Sequence, residues 1–154
     1  MDKVIVRSVY DAFEYVMDHY YPNGQEEYAP RKDTYAVISI QDTHTDGFGF
    51  VFTKSRYCKD VLTLYFDDIF KEVRGAVLFS EEQAEEIISF IWKSRNANTL
   101  LVHCYGGVSR SAAVGAFAVK MLGGDNTEYF QKLNPNRHIY DTLEEVWLRM
   151  TEAQ

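Results

Sequence analysis

An α/β fold, with a central, mostly parallel sheet flanked by helices on both faces, is what this chain predicts. Short apolar, β-branched runs alternate with amphipathic helical stretches along its length, the order that parallel sheets require. TYAVISIQ (34–41) and NTLLVHC (98–104) read as buried strands, so helices are expected on either side of them. No repeat, low-complexity segment or long linker divides the 154 residues, a length that suits one domain over 1–154.

The elements follow in order. VIVRSV (4–9) is β-branched and predicts the first strand. YDAFEYVMDHYY places Ala12, Phe13, Val16, Met17 and Tyr20 on one helical face, and Ser8 with Asp11 resembles a capping box at its start. Residues 22–33 gather Pro, Asn and Gly in a loop composition, TYAVISIQ is the second strand, and DTHTDGFGF (42–50) is turn-rich. DVLTLYFDD (60–68) reads as a strand ending in two aspartates. SEEQAEEIISFIWKSR begins with Ser80 and Gln83 as a capping box, and Ala84, Ile87, Ile88 and Ile91 then recur at helical spacing, with the EEQAEE run as its solvated face. After the strand NTLLVHC, SRSAAVGAFAVKML (109–122) is rich in small residues and reads as a buried helix closed by Gly123 and Gly124. NTEYFQKL predicts a short helix. YDTLEEVWLRM predicts a last one, with Leu143, Val146, Trp147 and Met150 inward.

Composition narrows the function classes. A hydrophobic fraction of 46% with 25% charged residues is globular and excludes disorder. The formal net charge of −7 argues against nucleic acid or an anionic membrane as partner, since both need clustered positive charge. A single phosphate at a locally positive site remains open. No apolar stretch approaches the roughly 18–20 residues of a membrane span. The start, MDKVIVRSVYDAF, lacks a signal peptide's apolar core and cleavage site. A soluble, cytoplasmic protein is expected. The two cysteines, Cys58 and Cys104, are too few for a disulfide scaffold and are expected as reduced thiols. His19, His44 and His138 have no metal-ligand spacing and read as surface or loop residues. Arg31, Lys32, Lys54, Arg56 and Arg137 read as surface cations able to recruit an acidic substrate segment.

The chemistry concentrates in VHCYGGVSRSAAV (102–114). A strand leads in, a helix leads out, and Tyr105, Gly106, Gly107, Val108 and Ser109 separate Cys104 from Arg110. In open α/β sheets ligands sit beyond the carboxyl ends of strands, which is where Cys104 falls. Consecutive backbone N–H groups in such a turn converge on an anion, and the helix adds its positive end. Gly106 and Gly107 allow backbone angles and close approaches that a β-carbon would forbid, and Arg110 offers a planar fork for two phosphate oxygens. The same helix end and arginine stabilise a thiolate over a thiol, so one loop both binds the anion and makes the nucleophile. Ser111 is a candidate hydroxyl donor to the sulfur, easing its departure. His103 alternates to the opposite sheet face and is expected to brace the loop by hydrogen bonds.

The pattern HCxxGxxRS, carried by His103, Cys104, Gly107, Arg110 and Ser111, resembles the signature of the cysteine-dependent protein tyrosine phosphatases. The order of elements is most similar to their compact dual-specificity group. The resemblance implies a two-step reaction through a phosphocysteine on Cys104, with no metal or cofactor. A carboxylic acid protonates the leaving oxygen and then serves as base for the hydrolytic water. In this group the acid follows a strand and precedes the helix before the signature strand. That place is YFDDIF, where Asp68 takes the acid position and Asp67 beside it is the alternative. The Pro135-Asn136 pair resembles a Pro-Asn of the compact group whose Asn side chain holds the signature loop; a plain helix stop and start explains it equally well.

The loop interior, Tyr-Gly-Gly-Val-Ser, carries no lysine. Relatives acting on inositol lipids tend to carry lysines there, so a phosphoprotein or phosphopeptide is the expected substrate, phosphotyrosine first and phosphoserine or phosphothreonine next. Three rivals stand beside this reading. A rhodanese-like sulfurtransferase typically has a loop one residue shorter. Low-molecular-weight phosphatases share the spacing but carry it near the N-terminus. A phosphate-binding module without turnover would have no need of Cys104, Arg110 and an acid together. Cys58 is either a bystander thiol or the partner of a reversible disulfide protecting Cys104.

Overall fold

The computed structural model describes residues 1–21, 33–44 and 51–153. The elements run β1 (Lys3–Ser8), α1 (Val9–Tyr20), β2 (Tyr35–Gln41), β3 (Cys58–Tyr65), α2 (Glu81–Lys93), β4 (Thr99–Cys104), α3 (Arg110–Met121), α4 (Thr127–Lys132) and α5 (Arg137–Glu152). The four strands form one sheet in the order β1-β4-β2-β3, and all three pairings are parallel. The loop expected over 22–33 lies outside the described residues except for Asp33, and so do Arg31, Lys32 and residues 45–50 of the turn-rich stretch.

Strand alternation sorts the core into two layers. Ala36, Ile38, Ile40, Leu100, Val102 and Cys104 face the larger cluster, where α2, α3 and α5 pack. Tyr35, Val37 and Leu101 face the other way, against Ala12, Val16 and Tyr20 of α1. The predicted architecture, helices on both faces of a parallel sheet, is therefore observed. Among the described residues no helix is long and apolar enough to cross a membrane.

Local chemistry explains the boundaries. The first strand stops one residue short of its expected end, because Ser8 caps α1: its hydroxyl accepts from the Asp11 N–H at 3.2 Å. Val9 then opens the helix. The buried face of α1 is Val9, Ala12, Val16 and Tyr20; Phe13, expected inward, is exposed, and Met17 is half-buried. Ser80 and Gln83 form a reciprocal capping box on α2. Gly123, at φ +88°, closes α3: its N–H donates to Lys120 O and that of Gly124 to Val119 O, a Schellman pattern. The last helix starts three residues before the predicted YDTLEEVWLRM, at Arg137, because Asn136 caps it through the Ile139 N–H at 3.0 Å. Leu143 and Val146 are buried, and Trp147 and Met150 pack on the core half-buried. The aspartates expected within the third strand follow it, since β3 ends at Tyr65.

Candidate active site

The signature loop hangs from the carboxyl end of β4, with β1 on one side and β2 on the other. Three of its carbonyls are taken by surrounding backbone. Tyr105 O accepts from Val9 N at 3.3 Å, Val108 O from Asn134 N at 2.9 Å, and Ser109 O from Asn136 N at 3.1 Å. In a trans peptide the following N–H points the opposite way. The Gly106, Ser109 and Arg110 N–H groups therefore point away from these partners. The Gly107 N–H donates to the Cys104 sulfur at 3.2 Å.

Gly107 alone of the two loop glycines is sterically required. Its φ is +75°, and a β-carbon there would lie 2.5 Å from Ser8 N and 2.6 Å from Arg7 C. Both are backbone atoms, which do not yield. Gly106, expected to need the same freedom, has an ordinary backbone, and a β-carbon would meet only Val108 Cγ2 at 3.8 Å. Tyr105 and Val108 are 58% and 52% exposed, so they form the rim of the loop.

Ser109 stands at the N-cap of α3, yet its side chain makes no cap. Its hydroxyl donates instead to Asp68 Oδ1 at 2.7 Å. The first-turn amides of α3 are left without a side-chain acceptor, which keeps that helix end open for an anion. Arg110, the first helical residue, donates through Nη1 to Phe66 O at 2.9 Å. Ser111 is fully buried, with its hydroxyl 3.0 Å from the Cys104 sulfur; Cys104 itself is 3% exposed.

His103 projects to the α1 face of the sheet, as alternation requires, and is fully buried. The register sets it directly beside Ser39. Its Nε2 lies 2.6 Å from Ser39 Oγ, and Gln41 Nε2 donates to that same hydroxyl at 2.7 Å. Ser39 Oγ thus links the Gln41 amide to the imidazole, whose Nδ1 faces Cys104 O at 3.4 Å. Burial pushes the imidazole pKa down to about 4, the Arg110 charge adding to the drop against the Cys104 carbonyl, so the ring is neutral.

The two candidate acids sit differently. Asp67 is 8% exposed. It accepts from Thr43 Oγ1 and, at 2.7 Å, from Val77 N, with His44 Nε2 3.5 Å away. Burial by itself would raise its pKa, but the Thr43 and Val77 hydrogen bonds, with His44 and Arg110, outweigh it and hold the carboxyl below its ordinary value. Asp68 is exposed, and its Oδ1 takes the Ser109 hydroxyl and, at 2.8 Å, Asn136 Nδ2. Asn136 thus differs from expectation in detail. Its side chain grips the aspartate segment, through Asp68 and Ile69 O, while its backbone N–H reaches the signature loop.

No protein-family model matches the chain, and no curated protein sequence matches it. Solved structures match in shape. The human tyrosine phosphatase-like serine/threonine/tyrosine-interacting protein superposes with a TM-score of 0.60 at 17% identity, over 98% of this chain and 99% of that one. Human DUSP28 gives 0.54 at 14% identity, over 98% and 95%. The Cydia pomonella PTP-2 phosphatase gives 0.54 at 20% identity, over 94% and 86%. The fold is that of the compact dual-specificity phosphatases.

On this phosphatase-like fold, several residues with a bearing on the site escape a sequence reading. Ser39 and Gln41 are polar positions spaced by two in an otherwise apolar strand, a signal that one sheet face carries a polar group. Thr43 and His44 lie in the stretch read only as turn-rich, and no local pattern points them at Asp67. The remaining histidines are spoken for: His19 Nε2 meets Asp33 at 3.0 Å, and His138, half-buried on α5, meets Phe79 O at 3.0 Å. Among the cations, Lys54 lies 3.7 Å from Asp60, Arg56 stacks over Tyr57, and Arg137 pairs with Asp141 at 3.2 Å.

Cys58 does not reach Cys104. It aligns with Tyr35, which aligns with Thr99, so Cys104 lies five residues further along the strand direction. That is about 16 Å at ~3.3 Å per residue, and a disulfide needs Cα atoms within about 7 Å. The two thiols also belong to opposite faces of the sheet. Cys58 is a buried core thiol, and the protective disulfide is excluded in this fold.

Proposed function

We propose that the protein is a phosphoric monoester hydrolase acting on phosphotyrosine in proteins or peptides, with phosphoserine and phosphothreonine as further substrates. What supports this most is the Cys104 sulfur held between the Ser111 hydroxyl and the Gly107 N–H, at the mouth of a loop whose carbonyls turn away from it. The Gly106 and Ser109 amides, the start of α3 and the Arg110 guanidinium would hold the phosphoryl oxygens. The Cys104 thiolate attacks phosphorus. The S–P bond forms as the P–O bond breaks, and Asp68 delivers a proton to the leaving oxygen. Water then attacks the phosphocysteine and gives its proton to the Asp68 carboxylate. The S–P bond breaks, phosphate leaves, and the departing thiolate is received by Ser111 and Gly107.

Asp68 rather than Asp67 suits the acid. Asp68 is exposed beside the signature loop, whereas Asp67 is buried with both oxygens committed to Thr43 and Val77. The lysine-free loop favours phosphoproteins over polyanionic headgroups.

Purified protein is expected to hydrolyse an aryl phosphate in the presence of a metal chelator. Cys104→Ser is expected to abolish turnover while retaining phosphate binding. Turnover by Cys104→Ser would refute the covalent route, and sulfur transfer from thiosulfate to cyanide would favour the rhodanese reading.

A further inference from the structure

Asp68 is an exposed loop residue, and an unrestrained carboxylate there would sample several rotamers. It is instead held on one oxygen. Ser109 Oγ and Asn136 Nδ2 both donate to Oδ1, at 2.7 and 2.8 Å, while Oδ2 has no hydrogen-bond partner among the described residues. Asn136 is itself immobilised. It is 1% exposed, its Oδ1 caps α5 through Ile139 N, its Nδ2 also donates to Ile69 O at 3.1 Å, and its backbone N–H and carbonyl bond Ser109 and Tyr140. One residue therefore joins the sixteen-residue helix α5 and the aspartate loop through its side chain, and the signature loop through its backbone N–H.

We propose that Asn136 is the positioning residue of the general acid, anchoring Asp68 through Oδ1 so that Oδ2 carries the proton that is transferred. This rests on the reading of Asp68 as the acid. In the first step the Oδ2 proton passes to the leaving oxygen as the P–O bond breaks. The carboxylate left behind keeps both donors on Oδ1. In the second step Oδ2 takes a proton from the attacking water, so the same oxygen is used in both directions.

Asn136→Ser keeps a capping hydroxyl for the Ile139 N–H and removes both amide donors. Its kcat/KM for phenyl phosphate, a poor leaving group, is expected to fall about tenfold, a fraction of the 10²–10⁴ that acid catalysis supplies. For 2,4-dinitrophenyl phosphate, which departs without a proton, the fall is expected to stay below about twofold. On an Asp68→Ala background Asn136→Ser is expected to change neither. Ser109→Ala removes the other donor to the same oxygen and should give the same leaving-group pattern; it decides the matter where Asn136→Ser does not fold. A loss uniform across leaving groups, or one that adds to that of Asp68→Ala, overturns the positioning role. Absence of leaving-group dependence in Asp68→Ala alone overturns the acid assignment, and the positioning role falls with it.

Discussion

The Ser111 hydroxyl stands 3.0 Å from the Cys104 sulfur, and both side chains are buried at the junction of β4 and α3. A neutral thiol gains little from that contact; a thiolate leaving phosphorus gains a charge-assisted hydrogen bond. Ser111→Ala is therefore expected to slow breakdown of the phosphocysteine more than its formation. A bond of about 1.5–3 kcal/mol corresponds to roughly 10- to 100-fold in kcat. Rapid-quench kinetics should show a burst of aryl alcohol and an accumulating phosphoenzyme. A fall in kcat without that burst would place the effect in the first step.

The neighbouring aspartates should separate cleanly by assay. Asp67→Ala removes the acceptor for Thr43 and Val77, and should cost about 1–3 kcal/mol of stability, read as a lower urea midpoint. Its dependence on leaving group should match the parent protein. Asp68→Ala should leave the midpoint nearly unchanged and slow phenyl phosphate far more than an activated ester. If the two patterns are exchanged, Asp67 is the acid.

Glycine substitution distinguishes the two loop positions. Gly107→Ala drives a β-carbon to within 2.5 Å of the Ser8 nitrogen and strains a φ of +75°. A loss of at least about 2 kcal/mol is expected, together with loss of phosphate affinity. Gly106→Ala meets ordinary contacts and should retain both. Equal tolerance at the two sites, seen by calorimetry, would contradict the loop conformation.

Acid should destabilise the fold through His103. Its pKa is about 4 when folded, chiefly from burial, against an ordinary 6.5. Between those values the unfolded chain binds a proton that the native chain refuses. Stability therefore rises with pH across that window and is lost as pH falls through it, by about 3 kcal/mol at 1.36 kcal/mol per unit. Asp67, held below its ordinary value, acts in the same sense lower down: its contribution is present above the unfolded carboxylate pKa and lost as pH falls. Urea unfolding at pH 4.5 and 7 measures the difference, and His103→Gln should flatten it. An unchanged slope in that variant would assign the effect to other groups.

What the sequence makes legible is what is local. The strand, loop and helix around Cys104 are contiguous, from Thr99 to Met121, so their order and spacing can be read directly from the chain. Capping at Ser8 and Ser80 is equally local, three residues in each case. The contacts that join loop to loop are not. Ser39 meets His103 across 64 residues, and Asn136 meets Asp68 across 68. A Pro-Asn before a helix announces a cap, but the other end of the amide is free to go wherever the fold brings a partner. Phe13 misled for a related reason. Helical periodicity assigns a face, while the sheet covers only the stripe of Val9, Ala12, Val16 and Tyr20.

The outward carbonyls of Tyr105, Val108 and Ser109 have a thermodynamic consequence. Their partners are the amides of Val9, Asn134 and Asn136, which belong to the start of α1 and the approach to α5. An oxyanion that binds the folded loop and not the unfolded chain stabilises by mass action, about 2.7 kcal/mol at a hundredfold excess over Kd. Because the loop takes its shape from those two segments, that energy is shared with them. Occupancy by such an oxyanion and the integrity of the start of α1 and of the approach to α5 would then form a single linked equilibrium, felt at amides that never touch the ligand.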